Sequence, residues 1–572
     1  MLITRFLLCG LFIMLAAPPA RSADGVIVTF WDDLPNDILL ELLLDAMSPQ
    51  EMIAQTLMLG WVGEDPSREI LEWIGTTSLG GVKIFGWNGN DLPRLARALG
   101  TMQEQASAHR LSVPLLTATD QEGGWVRHVK GSGALTTTVT PGNMAIGATN
   151  LPYDAYRSAH YIGMELRAVG INMNFAPTVD VYINPRAHVI GPRAFSDDPV
   201  QSGVLGVAFY QGLEDARVVA TAKHFPGHGN ASEDSHGVLP VILDTYEELY
   251  DRDLVPFRFL INEGVPAILS AHLSFPNIHA DGRPTSLSPF FMRRLLRDEL
   301  GFQGLIITDD LYMGGAWGYG TDYGWGIEEI VIEALRAGND MVMLSRTPEL
   351  YGALYERLME TWEADSRFRE QIREAAARVL DLKLNYLKPE DRVPLVPDPT
   401  LIAGSVRGEA SVSFFRDQAA RSVTVVRSAS IPLDTTRTSR TLLAGKDLDF
   451  LRIGAQFLPG ADSHRIESGR FYAADPGEVR RFRTLASSYD TIIFCLSDPH
   501  TQQILAGLEG LDATIVVLSI LTPVYLGELP WVDSAVAVYG WGEDSFRAGY
   551  SAILGRMAAP GRLPVSVDRS QR

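Results

Sequence analysis

Short apolar runs and longer amphipathic stretches alternate along most of the chain. Leu57–Val62, Gly81–Phe85, Leu115–Thr119, Asn172–Pro177, Val218–His224, Ala267–His272, Leu305–Asp309 and Asp340–Leu344 are too short for helices and rich in aliphatic side chains, so they read as buried strands. Helical patterns at Asp91–His109, Tyr153–Val169, Asp198–Leu213, Glu247–Asn262, Ser288–Leu300 and Gly326–Ala337 separate them. Eight strands spaced by helices predict a (β/α)8, TIM-type barrel. Ahead of it, the leucines of Asp37–Met47 predict a helix with a buried face. Ser48-Pro49-Gln50-Glu51 predicts the start of another, with Ser48 as cap, Pro49 in the first helical position and Glu51 completing a capping box.

The pattern breaks once. Pro389, Pro394, Pro397 and Pro399 exclude a helix or central strand over 388–400, which reads as a linker. Beyond it, Val423–Val426, Leu442–Ala444, Thr491–Leu496, Thr514–Ser519 and Ala535–Tyr539 predict buried strands between helices. The expected fold class is therefore α/β, a barrel over 23–387 followed by a smaller layered α/β domain over 401–572 with a largely parallel sheet.

Polar positions add chemistry to this frame, because they cluster where the barrel strands end, the face on which barrel enzymes keep their active sites. Asp120-Gln121-Glu122-Gly123-Gly124 follows the third strand, Asp180 the fourth, Lys223-His224 the fifth, His272 the sixth and Asp309-Asp310 the seventh. The densest stretch is Lys223-His224-Phe225-Pro226-Gly227-His228-Gly229 running on to Asp234-Ser235-His236. Residues two apart in an extended segment point the same way, so Asp234 is expected to orient His236 and favour its protonated form, as an acid/base His requires. Gly227, Gly229 and Gly237 are expected to let this loop swing. Asp309, at the end of an apolar strand, is costly to bury without a function. The second domain has no comparable cluster.

Composition narrows the partners. With 572 residues, 46% of them hydrophobic, the chain can bury a large core, and its formal net charge of −20 repels a nucleic-acid backbone or an anionic membrane surface. Residues 1–22 carry a basic start, an apolar run over Phe6–Ala17 and Ala20-Arg21-Ser22, the pattern of a cleaved export signal. The expected location is thus periplasmic or extracellular, without stable membrane insertion. Removal of that segment leaves Cys495 alone, which makes no internal disulfide. No metal is expected, since His224, His228 and His236 lack a ligand framework, and neither a Walker loop nor a dinucleotide fingerprint is present, so no cofactor is expected either.

The Lys223–Gly229 motif followed by Asp234-Ser235-His236 resembles the bacterial exo-β-N-acetylglucosaminidases of glycoside hydrolase family 3. The resemblance implies His236 as general acid/base with Asp234 as its dyad partner, and Asp309 as the nucleophile that attacks the anomeric carbon. It implies Asp120, Arg193, Lys223 and His224 as sugar-binding residues. Pro560-Gly561-Arg562-Leu563-Pro564-Val565-Ser566 resembles the closing motif of the family's second domains. The sequence departs from the family at Asn230 and Ala231, where Asp and Thr are common, and at Trp125, where Arg usually follows D-Q-E-G-G. Trp125 either stacks on a sugar or packs internally. The loop read over 314–325, rich in Gly and aromatics, either forms a platform for the leaving group or packs on the second domain.

The expected activity is that of an exported, retaining, exo-acting β-N-acetylglucosaminidase on small oligosaccharide or glycopeptide fragments of peptidoglycan or chitin. A broader β-glycosidase, a glycoside phosphorylase and a non-catalytic sugar-binding protein are the alternatives.

Overall fold

The computed structural model describes residues 28–436, 440–467 and 474–567. The expected export segment, 1–22, lies outside the described residues. Eight strands close a barrel: β1 (Leu57–Gly60), β2 (Gly81–Ile84), β3 (Leu116–Thr119), β4 (Met173–Asn174), β5 (Val219–Phe225), β6 (Ala267–Ser270), β7 (Leu305–Asp310) and β8 (Met341–Leu344). Each neighbours the next, β8 returns to β1, and every pair is parallel. Helices cover the outside, so these strands are buried on both faces, which is why they read as continuous apolar runs.

Some expected elements differ, among them the helix expected over Ser288–Leu300, which is wound as a π-helix over Phe290–Glu299. The strand expected over Asn172–Pro177 pairs regularly only at Met173–Asn174, because Pro177 offers no N–H. The chain nevertheless tracks β5, with Val179 N donating to Lys223 O at 2.8 Å, and this delivers Asp180 to the barrel mouth. The helix expected over Glu247–Asn262 contains a widened, π-type turn at Leu249–Asp253, just ahead of Pro256. The capping box at Ser48 forms, with Ser48 N donating to Glu51 Oε2 at 2.7 Å.

The barrel's last helix ends at Leu387, and no helix or strand intervenes before Ile402. That segment lies on the barrel, with Val393 fully buried and Lys388 Nζ donating to Asp32 O at 2.9 Å. The second domain is a six-stranded sheet of β9 (Thr424–Ser428), β10 (Thr441–Gly445), β11 (Asp462–Arg465), β12 (Thr491–Leu496), β13 (Thr514–Ser519) and β14 (Ser534–Ala537), in the order β9-β14-β13-β12-β10-β11. Only β9 is antiparallel to its neighbour. The closing segment docks back on the barrel: Pro564 O accepts from Ser196 Oγ at 2.7 Å and Asp197 N at 3.0 Å, while Ser566 N donates to Asp197 Oδ2 at 2.8 Å.

Candidate active site

A cavity of about 410 Å³ opens at the carboxyl ends of the barrel strands. Asp120, Arg193, Lys223, His224, His236 and Asp309 all line it, so residues spread over 190 positions of sequence meet in one place. Asp234 reaches it through His236.

The floor is a buried ionic lattice. Lys223, at the end of β5, lies between two carboxylates, contacting Asp120 Oδ1 and, at 2.6 Å, Glu122 Oε1. Lys83 of β2, fully buried, holds Asp120 Oδ2 at 2.8 Å. Arg193 grips Glu122 through two parallel bonds of 2.9 and 2.8 Å, the fork-on-carboxylate geometry that fixes a guanidinium. Burial alone would raise both carboxylates, but Lys223 and Lys83 hold Asp120 well below its usual range, and Arg193 and Lys223 bring Glu122 down to about 2. Glu122 is thus a fixed anion and unsuited to donating protons.

Asp180 organises the next layer. Its Oδ2 lies 2.7 Å from His224 Nδ1, and its Oδ1 accepts from His228 N at 2.7 Å. His224 Nε2 faces Arg193 Nη2 at 3.0 Å. Burial, opposed by both histidines, leaves Asp180 at about 2. Burial and the neighbouring His224 push His228 down to about 4.

Asp309 is the next-to-last residue of β7 and is partly buried; its Oδ1 accepts from Asp310 N at 2.8 Å. Burial would raise its pKa, but His224, His272 and His236 around it outweigh burial and keep it below the ordinary carboxylate range. It therefore carries an anion at neutral pH. Asp310 has a supporting part, accepting from Ser345 N at 2.9 Å and Tyr312 N at 3.2 Å.

The Asp234–His236 pair sits above this floor. Asp234 Oδ1 lies 2.7 Å from His236 Nδ1 and also accepts from His236 N at 2.9 Å. The segment is a tight turn rather than the extended loop segment expected, and the Asp caps the turn with the same oxygen that holds the ring. The His236 side chain is 65% exposed, which leaves its other ring nitrogen accessible. The Asp234 hydrogen bond, with Asp309 nearby, raises the His236 pKa against the opposing effect of burial.

The glycines act differently from the expectation that they let the loop swing. A Cβ at Gly229 would lie 1.9 Å from Val181 O, and one at Gly227, where φ is +135°, would lie 2.5 Å from Asp253 Cβ, so both positions serve close packing. Asn230 donates to both oxygens of Asp244 at 2.9 and 3.0 Å, bonds that the common Asp could not make.

The stretch read as a Gly-rich loop over 314–325 begins instead with a helix, Gly314–Asp322. Gly314 N donates to His236 O and Gly315 N to Ser235 O, both at 2.9 Å, tying the dyad turn to the segment after Asp309. A Cβ at Gly314 would meet Gly237 O at 2.3 Å, so Gly314 permits this approach. The aromatic residues Tyr319, Tyr323 and Trp325 contact one another at tilted and edge-to-face angles, and Tyr319 and Trp325 pack on the barrel core. Trp125 packs edge to face on Trp541 of the second domain, with ring centroids 6.4 Å apart.

Sequence reasoning missed Lys83, which appeared only as a polar residue inside an apolar strand, and the pairing of Glu122 with Arg193. No cluster of metal-ligating side chains occurs among the described residues.

Known proteins resemble this chain in sequence and in fold. Residues 49–382 match the glycosyl hydrolase family 3 N-terminal domain. The chain is 34% identical over 319 residues to a beta-hexosaminidase of Thiobacillus denitrificans, spanning 55% of this chain and 84% of that one. It is also 34% identical over 338 residues to beta-hexosaminidase A of Pseudoalteromonas piscicida, where the match spans 55% of each chain, only about half that relative's length. A family 3 beta-N-acetylglucosaminidase structure from Paenibacillus sp. superposes with a TM-score of 0.78 at 28% identity, covering 91% of this chain and 99% of that one. The barrel, its second domain and the sequence match over more than half the chain lead to one conclusion: the protein belongs to glycosyl hydrolase family 3.

Proposed function

We propose that this protein is a retaining, exo-acting β-N-acetylhexosaminidase that removes terminal N-acetylglucosamine from fragments of peptidoglycan or chitin. The observation that carries the reading is the 2.7 Å Asp234–His236 bond on a turn hydrogen-bonded to the segment after Asp309, with His236 and Asp309 lining one cavity.

In this reading Asp120, Arg193, Lys223 and His224 position the terminal sugar, their charges already paired so that little reorganisation accompanies binding. Asp309, held as an anion, attacks the anomeric carbon, and the bond to the leaving oxygen breaks as His236 donates its proton to that oxygen. Neutral His236 then takes a proton from water, whose oxygen attacks the sugar and frees Asp309. Two inversions give net retention. Asp234 keeps the imidazole oriented and stabilises its cationic form. The N-terminal pattern supports export, to a periplasm or outside the cell, where such fragments arise.

Aryl glycosides differing only at the 2-position test the reading. The N-acetylglucosaminide should turn over far faster than the glucoside, with a β-configured first product. Equal rates would favour a broad β-glycosidase, and a strict requirement for phosphate would favour a phosphorylase. An intact fold with no turnover would leave only sugar binding.

A further inference from the structure

The strand ends of the second domain carry a feature that this chemistry does not use. In the sheet, β10 has β11 on one side and β12 on the other, so the chain leaves β10 in one direction and later continues in the opposite one. Such a switch point opens a crevice beyond the carboxyl ends of the strands, where parallel α/β sheets receive ligands. A cavity of about 440 Å³ occupies it. Lys446 and Asp447 follow β10 into its wall, Ser497 and Asp498 follow β12, and Trp541 and the barrel's Trp125 close the remaining side. It shares no lining residue with the Asp309 cavity. Val126, Val189 and Arg193 face that cavity, whereas Trp125, His188 and Pro192, their chain neighbours, face this one.

The lining decides the class of ligand. The helices Leu448–Phe457 and Pro499–Ala506 begin at this crevice, and bare helix N-termini would favour a phosphate. Both are already occupied. Asp447 Oδ1 accepts from Asp449 N at 2.7 Å and Phe450 N at 3.1 Å, and Asp498 Oδ1 accepts from Thr501 N at 2.8 Å. Lys446 Nζ is neutralised by Asp498 Oδ2 at 2.8 Å. Among the described residues, an anion would meet two carboxylates and no free cation here, whereas ligand hydroxyls would meet acceptors and donors side by side. The aromatic wall adds the apolar face that a pyranose ring needs: Trp541 is 43% exposed. Trp125 Nε1 is buried and has no hydrogen-bond partner among the described residues.

We propose that this crevice is a second saccharide site, separate from the catalytic cavity, which holds a neutral N-acetylated oligosaccharide against Trp541. The N-acetylated class rests on the β-N-acetylhexosaminidase reading; the crevice itself does not.

Calorimetric titration of N-acetylchitotetraose into the Asp309→Asn chain, which cannot turn it over, tests the proposal. Two binding events are expected, and adding Trp541→Ala should leave one. Lys446→Ala, on a different wall, should weaken the same event about tenfold by removing a charged donor. In the otherwise native chain, Trp541→Ala should leave hydrolysis of a small aryl N-acetylglucosaminide unchanged, which also shows that the variant folds. A single event in both chains, or two events that both survive Trp541→Ala, would overturn the proposal, as would preferential binding of inorganic phosphate at the crevice. Failure of the native chain to hydrolyse the aryl N-acetylglucosaminide would overturn the activity reading instead, and is read separately.

Discussion

The floor of the active-site cavity and the turn that overhangs it hold charge in opposite ways. On the floor, Asp120, Glu122, Lys83, Lys223 and Arg193 form a closed lattice in which every carboxylate has two cationic partners. On the turn, one carboxylate faces one imidazole, with side chains 44% and 65% exposed. The lattice cannot change protonation without breaking, and so suits recognition. The pair can change protonation freely, and so suits proton transfer. The contrast supports the proposed assignment of proton transfer to His236 on the turn and not to the cavity-floor carboxylate Glu122, which is committed to Arg193 and Lys223.

The largest effect expected from breaking this arrangement is at Asp309, the proposed nucleophile. Asp309→Ala should lower kcat by about 10⁴-fold or more while the protein stays folded, checked by aryl-glycoside kinetics beside a circular dichroism spectrum. A slow fluorinated substrate should add its glycosyl mass to Asp309 in the native protein only.

Removing a carboxylate from each region sharpens the comparison. Asp120→Ala strands the buried ammonium group of Lys83 and leaves Lys223 with Glu122 alone, and should destabilise the protein by about 3–5 kcal/mol in urea titrations. Asp234→Ala removes an exposed pair and should cost less than about 1 kcal/mol. Equal losses would erase the distinction between floor and turn.

A smaller effect is expected in the pH profile. Asp234 raises the His236 pKa, so the proton donor is present at low pH and is lost as pH rises through that raised value. Asp234→Asn removes the charge that raises it, so the basic limb of kcat/KM should move to lower pH while the acid limb, set by Asp309, stays in place. An unmoved basic limb would separate Asp234 from the proton transfer.

Much of this was legible in the sequence, and the reasons differ by region. Barrel strands are buried on both faces, so apolar runs such as Leu305–Asp309 announce themselves, and a charged residue at their ends stands out. Partnerships across the barrel carry no such signal. Arg193 and Glu122 are brought together only by closure of the barrel, and Lys83 looks like an interruption of β2 until β3 places Asp120 beside it. Strand β11 was missed because it is a polar edge strand with exposed side chains, leaving no apolar run to read. The helix Gly314–Asp322 was missed because its glycines oppose helix formation locally; the close approach of Gly237 to Gly314 and of His272 to Gly315 shows why two of them are there. The Asp234–His236 contact was expected for a different backbone, since a short Asp side chain can cap a turn as readily as it can align along a strand.

The central claim is that His236 supplies the proton to the leaving group. The dependence of kcat/KM on leaving-group pKa, measured for a series of aryl N-acetylglucosaminides in the native protein and in His236→Ala, tests it most directly. The account predicts a shallow dependence in the native protein and a steep one in the variant, with losses of about 10²–10⁴-fold for poor leaving groups and little loss for activated phenols. Equal losses across the series would contradict it and give the turn a purely positional role.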